Sequence, residues 1–413
     1  MSLMINRQRL QERLHTLAQI GRQEDAGIYR MAFSQGDMIA REWLSSEIQA
    51  AGLALQVDPA ANISALWNPN DSEKRVLMGS HMDSVPGAGH LDGALGVLVA
   101  LECVQCLKEQ GLPLQHAVEA VAFTDEEGRF GGMIGSQAMA GKLTPAQIRQ
   151  AKDLEGHKLE EVMQQLGFDP QKILQAERPP KQLRAFLEVH IEQGPVLDRM
   201  HLPIGVVHGI TGLFKWQVEL LGESNHAGTT PMNMRRDAFQ GLAEFSNQLP
   251  RLLEEHGTRH SRSTIGQVYV SPGAANVIPG RVEFSLEVRD TDKEVLNDLA
   301  LACRRTLAAV AQRRGLMMNY QVLSELTPVQ CDPSVVNLIE QQAKNLGLDY
   351  HLMPSGAAHD CQMLADITPS GMIFVPSKEG RSHSPKEWTS MEDIEQGANL
   401  ALNVLHALAT EAN

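Results

Sequence analysis

Residues 79–96, GSHMDSVPGAGHLDGALG, carry four side chains of the types that bind metal ions or move protons. The four are His81, Asp83, His90 and Asp92. Imidazole and carboxylate groups are the ligands that zinc-like ions take in proteins. Spacing alone does not show which of the four would bind an ion, so each of them is a candidate at this point.

Groups of the same kind recur further along the chain. They are the acidic run Asp125-Glu126-Glu127, His190 in EVHIEQG and His383 in GRSHSP. A bound ion makes water a nucleophile near neutral pH, provided that an unligated carboxylate can take the proton. Adjacent glutamates after a strand can supply one ligand and one base, because neighbouring side chains point in different directions. The acidic run alone would be interpreted as a solvated turn, and it is the joint occurrence of these groups that favours a metal site.

The segments that carry these residues have the pattern of buried strands. KRVLMGSH, HAVEAVAFTDEE and RAFLEVHIEQG each contain a short apolar run that stops at polar residues. Runs this apolar are typical of strands covered on both faces, as in an α/β sheet with mainly parallel strands. Because loops that leave strand ends carry the chemistry of such folds, the candidate residues are expected to meet there.

The pattern changes in the middle of the chain. LFKWQVELLG alternates as a strand does, and a helical segment, the two strands TIGQVYV and RVEFSLEVRD, a long helix and the strand LMMNYQVLSEL follow. The order β-α-β-β-α-β is that of a split βαβ unit. We therefore expect an α/β domain formed by residues 1–211 and 328–413, with a smaller domain inserted at residues 212–327.

Length and charge narrow the class of protein. A chain of 413 residues is too long for one ordinary core, which agrees with two domains. The net charge of -14 argues against nucleic acid or an anionic membrane as a partner. No stretch approaches the ~18 consecutive apolar residues of a membrane span.

The cysteines are few, odd in number and scattered: Cys103, Cys106, Cys303, Cys331 and Cys361. This usage suits a reducing compartment, so we expect a cytoplasmic protein. Cys103 and Cys106 form a CxxC within an apolar, helix-like stretch, and no second CxxC exists to complete a zinc site. They are therefore predicted to be core thiols.

Seven motifs together carry a family resemblance. In chain order they are GSHMDSVPGAGHLDG, FTDEEG, EVHIEQG, SNHAGTTPM, ANVIPG, SGAAHD and RSHSP, within about residues 75–390. The set resembles the dinuclear-metal aminoacylase/carboxypeptidase superfamily. More narrowly, it resembles the carbamoylase branch, which contains N-carbamoyl-L-amino acid hydrolases, β-ureidopropionases and allantoate amidohydrolases. The resemblance implies a catalytic α/β domain with an inserted βαββαβ lid and dimerisation domain, and hence a homodimer.

The resemblance also implies two divalent metal ions per subunit, either zinc or manganese, with cobalt or nickel as possible substitutes. On the matching positions, one ion would be bound by His81, Asp92 and His190. The other would be bound by Asp92, Glu127 and His383, which makes Asp92 the bridging ligand.

The same resemblance implies roles for two further residues near these ligands and no role for a third. Glu126 would be the general base, and Asp83 would orient His81 without binding an ion itself. His90 would be a loop residue with neither role.

The inserted domain would contribute three residues. His226 in SNHAGTTPM would hydrogen-bond the developing oxyanion, often from the partner subunit, and such a donor is worth ~3 kcal/mol of barrier. Asn276 in ANVIPG and Arg289 in LEVRD would bind the substrate carboxylate. Without the motifs, His226 would be interpreted as an ordinary loop histidine. Arg289 could equally form a surface ion pair with Glu287 or Asp290.

Two departures from the family pattern bear on the substrate. The loop after the base reads DEEGRFGG, one residue tighter than the common DEEGxRF. Leu213 follows Gly212 where allantoate-type relatives tend to carry Gln, which indicates a pocket with an apolar side. In the other direction, GESNHAGTTPM closely matches the allantoate enzymes.

The sequence therefore predicts a metal-dependent amidohydrolase that acts on a small ureido compound. The expected reaction cleaves the carbamoyl group of N-carbamoyl-L-amino acids to give amino acid, ammonia and carbon dioxide. The alternative is an allantoate amidohydrolase that forms ureidoglycine, ammonia and carbon dioxide. An aminoacylase or metallopeptidase acting on a plain amide, or a catalytically silent binding protein, are the remaining alternatives.

Overall fold

The computed structural model describes residues 2–411 of the chain, which divide into two compact units. The first unit is the chain up to His208 together with the chain from Cys331 onward, and the second is Gly209–Gln330. The borders thus lie at 208/209 and 330/331, where the sequence pattern had suggested 211/212 and 327/328.

The helices and strands follow one another in the order expected for an α/β chain with an insertion. The α-helices are α1 (Arg7–Leu17), α2 (Gln35–Ala50), α3 (Ala94–Glu109), α4 (Ile134–Met139), α5 (Pro145–Gln150), α6 (Leu159–Gln165), α7 (Val196–Met200), α8 (Ala238–His256), α9 (Lys293–Arg314), α10 (Pro333–Asn345), α11 (Asp360–Leu364) and α12 (Met391–Thr410). The strands are β1 (Ala54–Val57), β2 (Ile63–Trp67), β3 (Arg75–His81), β4 (Ala117–Phe123), β5 (Leu183–Ile191), β6 (Ile204–Ile210), β7 (Gly212–Leu221), β8 (Arg262–Thr264), β9 (Val268–Ser271), β10 (Arg281–Asp290), β11 (Met317–Leu326), β12 (Val329–Gln330), β13 (Tyr350–Ser355) and β14 (Ser370–Val375).

The larger sheet has the strand order β1-β2-β4-β3-β5-β14-β6-β12, with β13 pairing with β6. Its four central strands are parallel, because β3 runs parallel to β4 and β5, and β14 runs parallel to β5. The flanking pairs β1/β2, β2/β4, β14/β6 and β6/β12 are antiparallel. The predicted α/β fold is confirmed, with the parallel arrangement concentrated in the centre of the sheet.

The central strands are covered on both faces, as their apolar runs predicted. Every residue of β4, AVEAVAF, is buried. Helices α3, α10 and α12 form one group packed on the parallel strands, and α4 and α11 form a second group. Cys103 and Cys106 are free thiols buried in α3, which confirms the prediction of core thiols.

The second unit is an antiparallel sheet, β11-β7-β10-β8, with β9 also pairing with β10. The alternating side chains of β7 are buried in its core together with residues of α8 and α9. TIGQVYV, expected to be one strand, is divided into β8 and β9. Gly266 and Gln267 lie between them, and Gln267 exchanges hydrogen bonds with Ser285 through its backbone. A glycine in a strand interior weakens regular pairing, which accounts for the break.

The parallel centre of the large sheet positions the candidate residues. His81 is the last residue of β3, the acidic run follows β4, His190 lies at the end of β5, and His383 follows β14. Because carboxyl ends of parallel strands meet at one edge of a sheet, these side chains converge there. Among the helices of residues 2–411, none combines the length and apolar character needed to cross a membrane.

Candidate metal centre

Asp92 lies at the centre of the converging side chains. Its Oδ1 atom is 3.2 Å from Nε2 of His190 and 3.8 Å from Nε2 of His81. Its Oδ2 atom is 3.3 Å from Nε2 of His383. The two oxygens of one buried carboxylate thus face imidazole nitrogens from different strand ends, as a bridging ligand would.

The turn between Asp92 and α3 is packed against the two buried imidazoles. Gly93 has φ = 62°, and a Cβ atom at this position would lie 2.3 Å from the His81 ring. Glycine is therefore required here both by backbone conformation and by space. The Gly93 N–H points at Nε2 of His190 at 3.2 Å.

Backbone carbonyls fix the tautomers of two histidines. Nδ1 of His81 lies 3.0 Å from the carbonyl oxygen of Asp83, and Nδ1 of His190 lies 2.8 Å from that of Ile191. Since a carbonyl only accepts, each Nδ1 carries a proton and donates it. In the neutral form of each ring, Nε2 therefore carries the lone pair and faces Asp92, which is the arrangement of a metal-ligating histidine.

The two glutamates lie beside these imidazoles. Glu126 Oε2 is 3.5 Å from Nε2 of His81, and Glu127 Oε1 is 3.4 Å from Nε2 of His383. Oε1 of Glu127 is buried, yet it finds no hydrogen-bond partner among residues 2–411. Burying a carboxylate oxygen without a hydrogen-bond donor costs free energy. A cation bound beside this atom would offset that cost.

The side chain of Asp83 contacts the turn of Glu126 and Glu127 rather than the His81 ring. Its carboxylate accepts the backbone N–H groups of Glu126 at 3.3 Å and Glu127 at 3.1 Å. Toward His81, the contact at hydrogen-bond distance comes from the Asp83 carbonyl, while the carboxylate oxygen is 3.8 Å away. The main chain of Asp83 thus orients His81, and its side chain holds the turn that carries Glu126 and Glu127.

The electrostatics of the cluster favour a positive charge. Burial raises the pKa of Asp83 to about 7 and that of Glu127 to about 8, and neighbouring carboxylates add to both shifts. Burial lowers the pKa of His81 to about 4 and so keeps its ring neutral. At His190, burial is outweighed by the hydrogen bond to Asp92, which raises the pKa to about 9. Buried carboxylates at such close range require a compensating cation.

The described residues contain two sets of potential ligands at this edge. They are His81, Asp92 and His190, and Asp92, Glu127 and His383; within each set the ligand atoms lie within 4.8 Å of one another. The orphaned Glu127 oxygen, the directed imidazole lone pairs and the excess of carboxylates all fit divalent metal ions. His90 belongs to neither set.

Two other sets of ligand type occur in the described chain. In the first, Glu188, His190 and His359 lie behind the cluster, where Glu188 already accepts hydrogen bonds from Ser80 at 2.7 Å and from the backbone of Cys361 at 2.9 Å. The second set, Asp153, Glu155 and His157, lies on a loop.

Glu387 contacts the Asp92 loop, and the sequence patterns did not reveal this contact. This buried carboxylate accepts the backbone N–H groups of Leu91 at 2.7 Å and Asp92 at 3.1 Å. The Ser382 hydroxyl lies 2.6 Å from Oδ2 of Asp92 and 3.1 Å from Glu387. A Cβ atom on Gly89 would lie 2.3 Å from Glu387, so the loop is packed directly on this side chain. Glu387 thus ties the Asp92 loop to the segment that carries His383, and its place just after RSHSP was the available signal.

We expect Glu387→Ala to weaken metal binding by about 10- to 100-fold, the usual cost of removing a residue that orients a ligand. The reason is that Asp92 would lose the carboxylate that holds its backbone. Titration of the metal-free protein with Zn²⁺ or Mn²⁺ measures the change directly. Glu387→Gln, whose amide oxygen can still accept both N–H groups, should restore most of the affinity, and Glu392→Ala on the exposed side of α12 is the control. Unchanged affinity in Glu387→Ala would contradict this role.

In the second unit, His226 and Asn276 are neighbours. Nδ1 of His226 accepts the backbone N–H groups of Gly228 at 3.0 Å and Thr229 at 3.3 Å. Its proton is therefore on Nε2, which leaves an exposed N–H donor. The backbone N–H of Ala227 donates to the carbonyl of Asn276 at 2.9 Å, which holds the two segments side by side.

Arg289 lies at the other end of the same sheet. Its Nε donates to Glu287 at 2.8 Å, so the ion pair considered as the simpler alternative is present. Leu213 is its register partner on β7, so the two side chains lie on the same face of the sheet. Arg281, at the end of β10 nearest His226, is eight residues from Arg289, or about 26 Å at the rise of a strand.

Comparison with known proteins agrees with this architecture. The model of peptidase family M20/M25/M40 matches residues 77–407. The N-carbamoyl-L-amino acid amidohydrolase of Geobacillus stearothermophilus is 42% identical over 410 residues, which cover 98% of this chain and 99% of the relative. The allantoate amidohydrolase of Escherichia coli (strain K12) is 34% identical, with 98% of both chains covered.

A solved structure is similar over the full length of both chains. It is an amidase of the hydantoinase/carbamoylase family from Burkholderia multivorans, with a TM-score of 0.91 and 33% sequence identity at 100% coverage of each chain. The family expected from the seven motifs is thereby confirmed. With its parallel sheet edge, its inserted antiparallel domain and these relatives, the chain belongs to peptidase family M20/M25/M40, within the carbamoylase branch.

Proposed function

We propose that this protein hydrolyses N-carbamoyl-L-amino acids to the free amino acid, ammonia and carbon dioxide. The convergence of Glu126 with two potential ligand sets at one sheet edge carries the proposal, because hydrolysis of a ureido bond needs a base beside bound cations. The substrate class is supported by the 42% identity to an N-carbamoyl-L-amino acid amidohydrolase over almost the whole chain.

Two divalent ions per chain, zinc or manganese, complete the site in this proposal, and cobalt or nickel would also suit the donors. One would be bound by His81, Asp92 and His190. The other would be bound by Asp92, Glu127 and His383, with Asp92 shared. Such cations supply Lewis acidity, which polarises a carbonyl and makes water a stronger nucleophile.

Glu126 is the general base of the proposed reaction. Its carboxylate takes a proton from the attacking water and returns it to the leaving nitrogen. Its side chain is 10% exposed, and burial followed by the charge of Glu127 raises its pKa. Asp83 supports this turn through the two N–H groups that it accepts.

The second unit would supply recognition. The exposed Nε2–H of His226 is a suitable donor to the oxyanion that develops on the carbamoyl oxygen. Asn276 and Arg289 would hold the α-carboxylate and so fix the orientation of the substrate. Arg289 would exchange or share its contact with Glu287 when the carboxylate binds.

The separation of these residues supports a homodimer formed through the inserted domain. His226 and Arg289 lie at opposite ends of a sheet about 26 Å long, measured along β10, so one copy of this unit cannot offer both to one small substrate. Two copies can, if each site takes Arg289 from its own chain and His226 from its partner. The sheet offers open edges at β11 and at β8 and β9 for such pairing.

Allantoate is the second candidate substrate, because an allantoate amidohydrolase is 34% identical over 98% of this chain. Leu213, the register partner of Arg289, favours the carbamoyl amino acid, since its apolar side chain cannot hydrogen-bond a second ureido group. A cytoplasmic location remains a prediction, in keeping with five free, buried cysteines.

The proposal is tested by the kcat/KM of metal-reconstituted enzyme for N-carbamoyl-L-methionine, N-carbamoyl-β-alanine and allantoate. We expect N-carbamoyl-L-methionine to be the preferred substrate. Preference for allantoate would leave the metal chemistry in place and group the enzyme with the allantoate amidohydrolases. Preference for N-carbamoyl-β-alanine would place it with the β-ureidopropionases.

A further inference from the structure

A cavity of about 410 Å³ adjoins Glu127 within the first unit. It lies between four short loop segments, residues 31–34, 83–86, 127–129 and 153–155. Its volume is within the ~300–1,000 Å³ of small-ligand pockets. Because Glu127 belongs to one of the two ligand sets, the cavity begins at the proposed reaction centre and leads away from it.

Away from Glu127, the polar side chains that line the cavity already have protein partners. Arg129 donates to the carbonyl of Ala32 at 2.7 Å and to Asp153 at 3.0 Å. Ser84 Oγ accepts the backbone N–H of Arg30 at 3.1 Å. The remaining polar contacts pair Ser34 with the Asp37 N–H, Asp83 with the N–H groups of Glu126 and Glu127, and Glu155 with the His157 ring. These groups therefore form part of the wall, and their contacts within the protein do not require a polar ligand.

The apolar part of the wall consists of Met31, Ala32, Val85, Pro86 and Leu154. Leu154 is fully exposed at the tip of its turn. The turn itself is fixed, because Asp153 accepts the backbone N–H groups of Glu155 at 3.0 Å and His157 at 2.9 Å. Leu154 therefore presents an apolar surface at the rim of the cavity, where a ligand can contact it.

We infer that this cavity receives the side chain of the substrate amino acid and selects for apolar side chains. The inference rests on the proposed function and specifies its substrate class. In an N-carbamoyl amino acid, the Cα atom is two bonds from the reacting carbonyl carbon, so the side chain must leave the centre through an adjoining wall. The cavity at Glu127 provides such a path, with Met31, Val85 and Leu154 along it.

The test compares two substrates that differ only in the side chain, N-carbamoyl-L-leucine and N-carbamoylglycine. In Leu154→Asn, we expect kcat/KM for the leucine compound to fall about tenfold, the usual effect of losing an apolar contact in a pocket. The value for the glycine compound should stay within about twofold of wild type. Val85→Thr keeps the shape of the side chain and adds a hydroxyl. It should lower the ratio of kcat/KM for the leucine compound to kcat/KM for the glycine compound severalfold. Leu352→Asn, at a leucine that is 46% exposed in β13, is the matched control and should leave the ratio unchanged.

The outcomes separate this inference from the proposed function. If wild type hydrolyses both compounds and the leucine-to-glycine ratio is the same in Leu154→Asn and Val85→Thr, the side chain binds elsewhere and the inference is wrong. If wild type hydrolyses neither compound, the proposed function fails and the inference fails with it. A fall in the leucine value alone, without a change in the melting temperature, supports both.

Discussion

Glu126→Gln should lower kcat on N-carbamoyl-L-methionine by about a thousandfold or more while the protein keeps its metal ions. The amide has nearly the same shape as the carboxylate but cannot accept a proton from water, and general-base catalysis contributes roughly 10²–10⁴-fold. The ligand sets His81/Asp92/His190 and Asp92/Glu127/His383 do not include Glu126, so metal content should not change. Steady-state kinetics together with elemental analysis of the same preparation measures both quantities.

The matched control is Glu161→Gln, at a side chain that is 59% exposed on α6. It should retain both activity and metals. Normal turnover by metal-loaded Glu126→Gln would show that another group is the base. Loss of metal in that variant would show that Glu126 is a ligand. The roles proposed for Glu126, as base, and Glu127, as ligand, would then be exchanged.

Mixing two inactive variants, His226→Ala and Glu126→Gln, should restore activity to about a quarter of the wild-type value. Random exchange of subunits makes half of the dimers mixed, and each mixed dimer has one site with an intact base and an intact partner histidine. The structural basis is the distance along β10, which separates His226 from Arg289 at the two ends of one sheet.

The experiment requires co-expression, or mixing under conditions in which subunits exchange, followed by an activity assay per total chain. His226→Ala mixed with itself is the control and should remain inactive. If mixed preparations are no more active than the separate variants although mixed dimers are present, then His226 serves its own chain. If no dimer forms at all, the proposed homodimer is wrong.

Much of the site's location follows from local sequence patterns. The apolar runs before His81, Asp125 and His190 predicted buried strands, and the polar residues after them predicted a shared sheet edge, which the structure has. This inference works because side-chain burial on both faces leaves a pattern in consecutive residues. The order of elements in the inserted domain was predictable for the same reason, apart from the break at Gly266.

The supporting contacts were not predictable, because they join residues far apart in sequence. Glu387 contacts the backbone of Leu91 across 296 positions, and no local pattern marks that contact. The function of Asp83 divides between its carbonyl and its carboxylate, a distinction that depends on the turn geometry. The sequence left open whether Arg289 would form an ion pair with Glu287 or with Asp290. The coordinates show the pair with Glu287.

Cleavage of a ureido group by this enzyme is tested by the stoichiometry of its products. Metal-reconstituted protein is incubated with N-carbamoyl-L-methionine or N-acetyl-L-methionine, and ammonia and methionine are quantified in each sample. We expect one ammonia per methionine from the carbamoyl compound and negligible methionine from the acetyl compound. Release of methionine from the acetyl compound, with the carbamoyl compound left intact, would contradict the account and identify an aminoacylase.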